Sequence, residues 1–236
     1  MMLKNRTIVV AFVLLLIFSL AVNVKYLLAL RSKTSGISTV ETVTNSVSYN
    51  IKQTQYDMLK IDTGATVFAG DSYTMHFCLN DFFPGKRLVN RGIGGDVSAG
   101  LLSRLNSIIK YKPKKIFFQI GLNDLYTGVP KDTLLANIDS IIIKSRHEIP
   151  GVQMYWVNIA PVTKKKDLFD AHAQDVITTT NNAIKQICDK NSVTYIDLYG
   201  TLNNNGTFSK YDSGDHLHIN GKGYQVWAEL ISKYLD

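Results

Sequence analysis

The sequence predicts an α/β fold, a three-layer sandwich in which a five-stranded parallel β-sheet is covered on both faces by helices. Two observations carry the prediction. From residue 65 onward, short apolar runs of strand length alternate with longer stretches of helical period, the pattern left by right-handed β-α-β crossovers. The short runs are apolar at nearly every position, as strands buried on both faces require. With 236 residues and 45% hydrophobic content, the chain suffices for one domain with a full core and a short appendage.

The appendage comes first. Residues 7–24 are almost wholly apolar and follow Lys4 and Arg6. A run of this length approaches the ~20 residues that cross a bilayer, so it predicts an N-terminal transmembrane helix, a signal anchor. Cleavage after Ala21 is the alternative, because Ser19 and Ala21 are small residues at the two positions a signal peptidase reads. The apolar stretch Tyr26-Leu-Leu-Ala-Leu30 favours an uncleaved anchor in which Lys25 snorkels to the interface. Arg31 and Lys33 partly balance Lys4 and Arg6, so charge alone orients the segment weakly. A short tail before a long translocated domain is the common arrangement, and the expectation is an extracytoplasmic domain at the cell membrane. Residues 1–31 thus read as tail and anchor, 32–61 as a Ser/Thr-rich stalk with a lead-in helix over 49–61, and 62–236 as the folded domain.

Within that domain the apolar runs place strands at 66–69, 87–90, 115–120, 152–159 and 193–198. The helical period places helices at 73–80, 97–111, 131–148, 168–191 and 220–235. The formal net charge of +7 comes from scattered lysines, with Lys164-Lys165-Lys166 the only run of three. No nucleic-acid motif accompanies them, so a solvated basic surface is expected and no nucleic-acid partner. Cys78 and Cys188 fall in predicted helices without metal-ligand spacing and read as buried thiols; export would permit a disulfide.

In an open parallel sheet, ligands sit outside the carboxyl ends of the strands. Three stretches fall there: Gly70-Asp-Ser72 after the first strand, Asn90-Arg-Gly-Ile-Gly-Gly-Asp96 after the second, and Gly121-Leu-Asn-Asp124 after the third. Ser72 would head a helix, beside free N–H groups and the positive end of the dipole. Alone, Gly-Asp-Ser is as easily a turn and a helix cap. The fourth stretch, Asp212-Ser-Gly-Asp-His-Leu-His-Ile-Asn220, precedes the last helix. Asp215 and His218 are three apart, so one turn lets the carboxylate hold Nδ1–H and frees Nε2 as a base. A serine hydroxyl needs such a base, which makes Ser72, His218 and Asp215 a candidate catalytic triad. The N–H groups of Ser72 and Gly95 and the side-chain amide of Asn123 are the candidate oxyanion donors.

Other readings attach to the same residues. His216, His218 and Asp215 resemble a metal cluster only loosely, since neighbours two apart on a tight turn rarely converge and no fourth ligand is evident. No metal is therefore expected. His76, one turn after Ser72, reads as a partly buried helix residue. Asp71 and Asp124 are expected to fix local turns, Asp96 to cap the following helix, and Tyr126 with the 160–170 loop to shape the rim.

The order and spacing of these four blocks resemble the SGNH hydrolases, also called GDSL esterases and lipases, over about residues 65–236. The family's serine, glycine, asparagine and histidine fall on Ser72, Gly95, Asn123 and His218, with Asp215 completing the triad. The resemblance implies a flavodoxin-like strand order of 2-1-3-4-5 and ester hydrolysis through an acyl-serine intermediate, without metal or cofactor. Tyr73 stands where the family usually has Leu or Ile, and Leu122 where many members have Gly or Thr, so an altered pocket shape is expected. Short rim connections favour a small acyl group, such as acetate on a carbohydrate or cell-envelope glycan. A lysophospholipase or thioesterase acting at the membrane is the alternative, and a catalytically silent binding module the rival outside enzymes.

Overall fold

The computed structural model describes residues 46–163 and 173–236. The apolar segment 7–24, the Ser/Thr-rich stretch and Lys164-Lys165-Lys166 lie outside the described residues, among which no helix is long and apolar enough to cross a membrane.

Strands β1 (Thr66–Gly70), β2 (Leu88–Gly92), β3 (Lys115–Gln119), β4 (Gln153–Val157) and β5 (Thr194–Ile196) form one sheet in the order β2-β1-β3-β4-β5. Every pairing is parallel. This is the order that the four-block resemblance implies. The strands of the middle are buried on both faces, and the alternation of side chains gives each face its own packing. In-register Phe68, Phe117 and Tyr155 stack across β1, β3 and β4 with ring centroids 4.6 and 4.4 Å apart. That ladder meets Phe77 and Tyr234 on one side of the sheet. Large aromatic area removed from water on both faces is what makes the short apolar runs hold as strands.

Helix α1 (Val47–Met58) precedes the sheet. After β1 come α2 (Ser72–Met75) and α3 (Leu79–Phe82); after β2, α4 (Ser98–Arg104) and α5 (Asn106–Ile109); after β3, α6 (Leu122–Tyr126) and α7 (Lys131–Glu148). Helix α8 (Ala173–Lys190) leads into β5, which is followed by α9 (Leu198–Leu202), a 3-10 segment (Asn204–Tyr211) and α10 (Gly221–Ser232). Helices α4, α7 and α8 pack side by side in one layer. Trp227 of α10 lies 4.7 Å from the Phe77 ring in the other.

Two predicted helices divide. The 73–80 helix is two short pieces because Asn90 Nδ2 donates to the carbonyls of Thr74 (2.6 Å) and Phe77 (3.1 Å), which a continuous helix would use itself. The 97–111 helix divides at Leu105, whose N–H turns to the i−3 carbonyl of Leu102 at 3.4 Å. Cys78 thus sits exposed at the break, while Cys188 is buried in α8, and both thiols are free. Helix α7 has the predicted bounds, 131–148.

Strand β2 runs two residues further than its apolar run, to Arg91 and Gly92, because Gly92 pairs with Gly70 at the end of β1. A Cβ at Gly92 would stand 2.2 Å from the Met75 N, so only glycine lets this strand end approach α2. The two strand ends are tied by Arg104, which donates through Nε to Asp96 (2.8 Å), through Nη1 to the Arg91 carbonyl (2.8 Å) and through Nη2 to the Gly70 carbonyl (3.0 Å). Both members of the Arg104–Asp96 pair are buried. Removing one partner strands the other charge, so Arg104→Ala should cost about 3–5 kcal/mol, read as a lower midpoint in urea or guanidinium unfolding.

Candidate active site

Ser72 is the first residue of α2, where the chain leaves β1 at Gly70 and Asp71 caps the helix by accepting the Tyr73 N–H at 3.0 Å. At this position its own N–H has no acceptor within the helix. Asp71 is wholly buried, and burial pushes its carboxyl up to about 8, against the pull of the Tyr73 hydrogen bond and aided by the charges of Asp96 and Asp124.

The histidine arrives from a loop closed by an antiparallel bridge between Asp212 and Ile219. Ser213 N donates to the His218 carbonyl at 2.9 Å and Asn220 N to the Tyr211 carbonyl at 2.7 Å, so the loop is a rigid turn. Inside it, Asp215 Oδ1 accepts from the N–H groups of Leu217 (2.9 Å) and His218 (2.8 Å) and from the Ser213 hydroxyl (2.9 Å). Its Oδ2 lies 2.5 Å from His218 Nδ1. Burial alone would raise the Asp215 carboxyl, but these donors, the His218 ring first, hold it well below the usual range. An ionised carboxylate only accepts, so Nδ1 carries the proton and Nε2 is free to accept from the Ser72 hydroxyl, 2.9 Å away. Ser72, His218 and Asp215 are therefore brought together in the expected chain, across 146 residues of sequence.

Gly95 and Asn123 belong to neighbouring loops. Gly95 is exposed at φ 77°, a conformation that favours glycine. Asn123, in α6, donates one amide hydrogen to the Asp96 carbonyl at 2.9 Å, which locks the side chain and leaves the second hydrogen free of that bond. Asp124 does not fix a local turn. It reaches the first turn of α4 and accepts from the Ser98 N–H (2.9 Å) and hydroxyl (2.5 Å), and Asn137 donates to the same hydroxyl at 2.9 Å. Burial pushes the Asp124 carboxyl up to about 6, against the two Ser98 hydrogen bonds. Asp96 likewise is no helix cap. It accepts the adjacent Val97 N–H at 2.9 Å and pairs with Arg104, so its carboxylate belongs to the buried network.

Tyr73 and Leu122 are both buried. The Tyr73 hydroxyl donates to the carbonyl of Leu217, the residue before His218, and Tyr224 of α10 donates to the Tyr73 carbonyl at 2.9 Å. Tyr73 thus straps the helix that carries Ser72 to the loop that carries His218. Its sequence signal was a tyrosine in an apolar position, since a buried phenol needs an acceptor. His76 is exposed and meets the His218 ring edge-on at 5.7 Å, outside the hydrogen-bond chain; partial burial and His218 both lower its pKa. His216 faces Thr163, with Nδ1 2.7 Å from the hydroxyl, and that hydroxyl donates to Asp212 Oδ2 at 2.5 Å. Among the described residues, no three His, Cys, Asp or Glu side chains are grouped to hold a metal. Tyr126 is exposed, and residues 164–170 of the rim loop lie outside the described residues.

Two measurements check this geometry. Tyr73→Phe keeps the ring but releases Leu217, so labelling of Ser72 by a fluorophosphonate should slow by about tenfold, with the fold retained by circular dichroism. For Asp71, the folded carboxyl titrates near 8 instead of 3.8, so the native state loses stability as pH rises through that window. Asp71→Asn keeps the cap acceptor without the charge. Its Tm relative to the parent should rise from pH 4 to about 8 and then level off.

The model of the GDSL-like Lipase/Acylhydrolase family matches residues 64–226. A solved structure from Streptococcus pneumonia superposes with TM-score 0.72 at 25% identity, covering 80% of this chain and 93% of that one. The acetylxylan esterase Axe2 of Geobacillus stearothermophilus shares the fold at TM-score 0.61 and 17% identity, over 75% of this chain and 96% of that one. N-acylneuraminate cytidylyltransferase of Streptococcus agalactiae serotype III is 22% identical over 184 residues, 77% of this chain and 41% of its own length. The chain thus spans about two fifths of the curated relatives it matches in this way. Esterase TesA of Pseudomonas aeruginosa is 34% identical over 76 residues, 32% of this chain and 38% of TesA. The family match runs from the turn before β1 into α10, most of the chain, and the protein is accordingly a member of the GDSL-like lipase/acylhydrolase family, a serine ester hydrolase.

Proposed function

We propose that the enzyme removes short acyl groups, acetate first among them, from a carbohydrate, with Ser72, His218 and Asp215 as the triad and Ser72, Gly95 and Asn123 as the oxyanion donors. Ser72 Oγ attacks the ester carbonyl while His218 Nε2 takes its proton. The developing oxyanion is met by the N–H groups of Ser72 and Gly95 and the free amide hydrogen of Asn123. His218 returns the proton to the leaving sugar hydroxyl, which departs and leaves an acyl-serine. Water then attacks that ester with His218 again as base, and the free acid and Ser72 are released.

The observation that carries the substrate class is the openness of the triad: the Asp215 side chain is 47% exposed and that of His218 26%. An ester borne on a bulky glycan can approach such a site, whereas a long acyl chain gains little from a surface it cannot be buried in. The name of one similar protein, an acetylxylan esterase, lends support. No step in this mechanism calls on a metal or cofactor.

The test compares kcat/KM for 4-nitrophenyl acetate and 4-nitrophenyl octanoate, with Ser72→Ala alongside. The expected result favours acetate several-fold, and Ser72→Ala should lose on the order of a thousandfold or more in kcat. A preference for octanoate would replace the glycan reading with lipid acyl esters. Turnover of both esters that survives in Ser72→Ala would sink the triad assignment.

A further inference from the structure

Helix α1 lies ahead of residues 64–226, outside the part of the chain that the family shares. It is nevertheless seated on the loop that carries Gly95. Tyr49 and Tyr56 are both buried, one helical face seven residues apart, and form a cluster with Ile93. The Tyr56 hydroxyl donates to the Gly92 carbonyl at 2.9 Å. The N–H of the same peptide unit, that of Ile93, donates to the Gly70 carbonyl at 3.0 Å. One peptide plane is therefore gripped at both ends, by α1 on one side and by the end of β1 on the other. Three residues beyond Gly92 stands Gly95. Arg91 closes the contact, its guanidinium 4.8 Å from the centre of the Tyr56 ring. Tyr49 sits where the charges of Asp96 and Arg104 act on its phenol, and Asp96 supplies the carbonyl that holds the Asn123 amide.

We propose that α1 is a positioning element of the oxyanion hole: Tyr56, by clamping the Gly92–Ile93 peptide, sets the direction of the Gly95 N–H, and Tyr49 supports the segment that holds Asn123. The proposal rests on the assignment of Gly95 and Asn123 as oxyanion donors. Neither tyrosine touches substrate. Their effect passes through backbone geometry, and a donor is useful only when aimed at the place where charge develops. A helix outside the shared domain thereby becomes part of what makes this particular enzyme competent.

The experiment uses the full chain with Tyr56→Phe, which keeps the ring against Ile93 and Arg91 and removes only the clamp, and with Tyr56→Leu, which removes both. Short-ester kinetics are paired with the affinity of a phenylboronic acid, whose tetrahedral adduct on Ser72 needs the same donors. In Tyr56→Phe, kcat and kcat/KM should fall together by about tenfold, with KM within about twofold and boronate affinity weakened in parallel. Tyr56→Leu should lose more of each. A Tm that falls while kcat and boronate affinity, measured well below it, stay at parent values would show a merely structural helix and overturn the proposal. So would a rise in KM alone. Asn123→Ala separates the two levels: if it keeps full kcat and boronate affinity, the hole assignment itself fails, whereas loss in Asn123→Ala with none in either Tyr56 variant overturns only the role of α1.

Discussion

The geometry of the whole rim depends on one buried ion pair. Arg104 lies with Asp96 out of water, and two charges so placed are tolerable only with good geometry and further hydrogen bonds. The guanidinium meets that demand with three acceptors that sit at the end of β1, near the end of β2 and on the loop between β2 and α4. A planar fork has no freedom to satisfy three acceptors in more than one arrangement. The position of the Gly95 loop relative to Ser72 is therefore dictated from behind, by a residue that faces no substrate.

Around this pair the site is built in layers of polar contact. Asp124 binds the first turn of α4, Asn123 binds the Asp96 carbonyl, and Asn90 takes carbonyls from the turn after Ser72. Of three buried carboxyls, Asp96 raises the affinity of both Asp71 and Asp124 for protons, and Asp124 raises that of Asp71. Their shifts oppose that of Asp215, which faces solvent and gathers four donors. The carboxyls behind the site hold shape, and the one at its edge holds charge.

Much of this was legible in the sequence, and the remainder was not for identifiable reasons. The sheet announces itself because strands covered on both faces need unbroken apolar runs, and α7 because eighteen residues of helical period meet no breaker. Ser72, Gly95, Asn123, Asp215 and His218 are marked by residue type and order. What the pattern hides is which polar side chain answers which: the split of the 73–80 segment depends on Asn90, and the partners of Asp96 and Asp124 lie in other elements. Nothing in the sequence marks Arg104, and only the fold turns it inward. Short helices such as α6 and α9 offer too few residues for periodicity to reveal.

The strap from Tyr73 to Leu217 has a consequence in time. Ser72 is made early in the chain and His218 146 residues later, and the contacts that hold them together come from Leu217 and Tyr224, near the far end of the fold. During synthesis Ser72 emerges with no base, and its hydroxyl is as unreactive as any surface serine. Reactivity arrives only with the last loop and helix. In the proposed mechanism ester cleavage is thus a property of the finished fold, and a chain stalled short of residue 218 carries Ser72 as a silent residue.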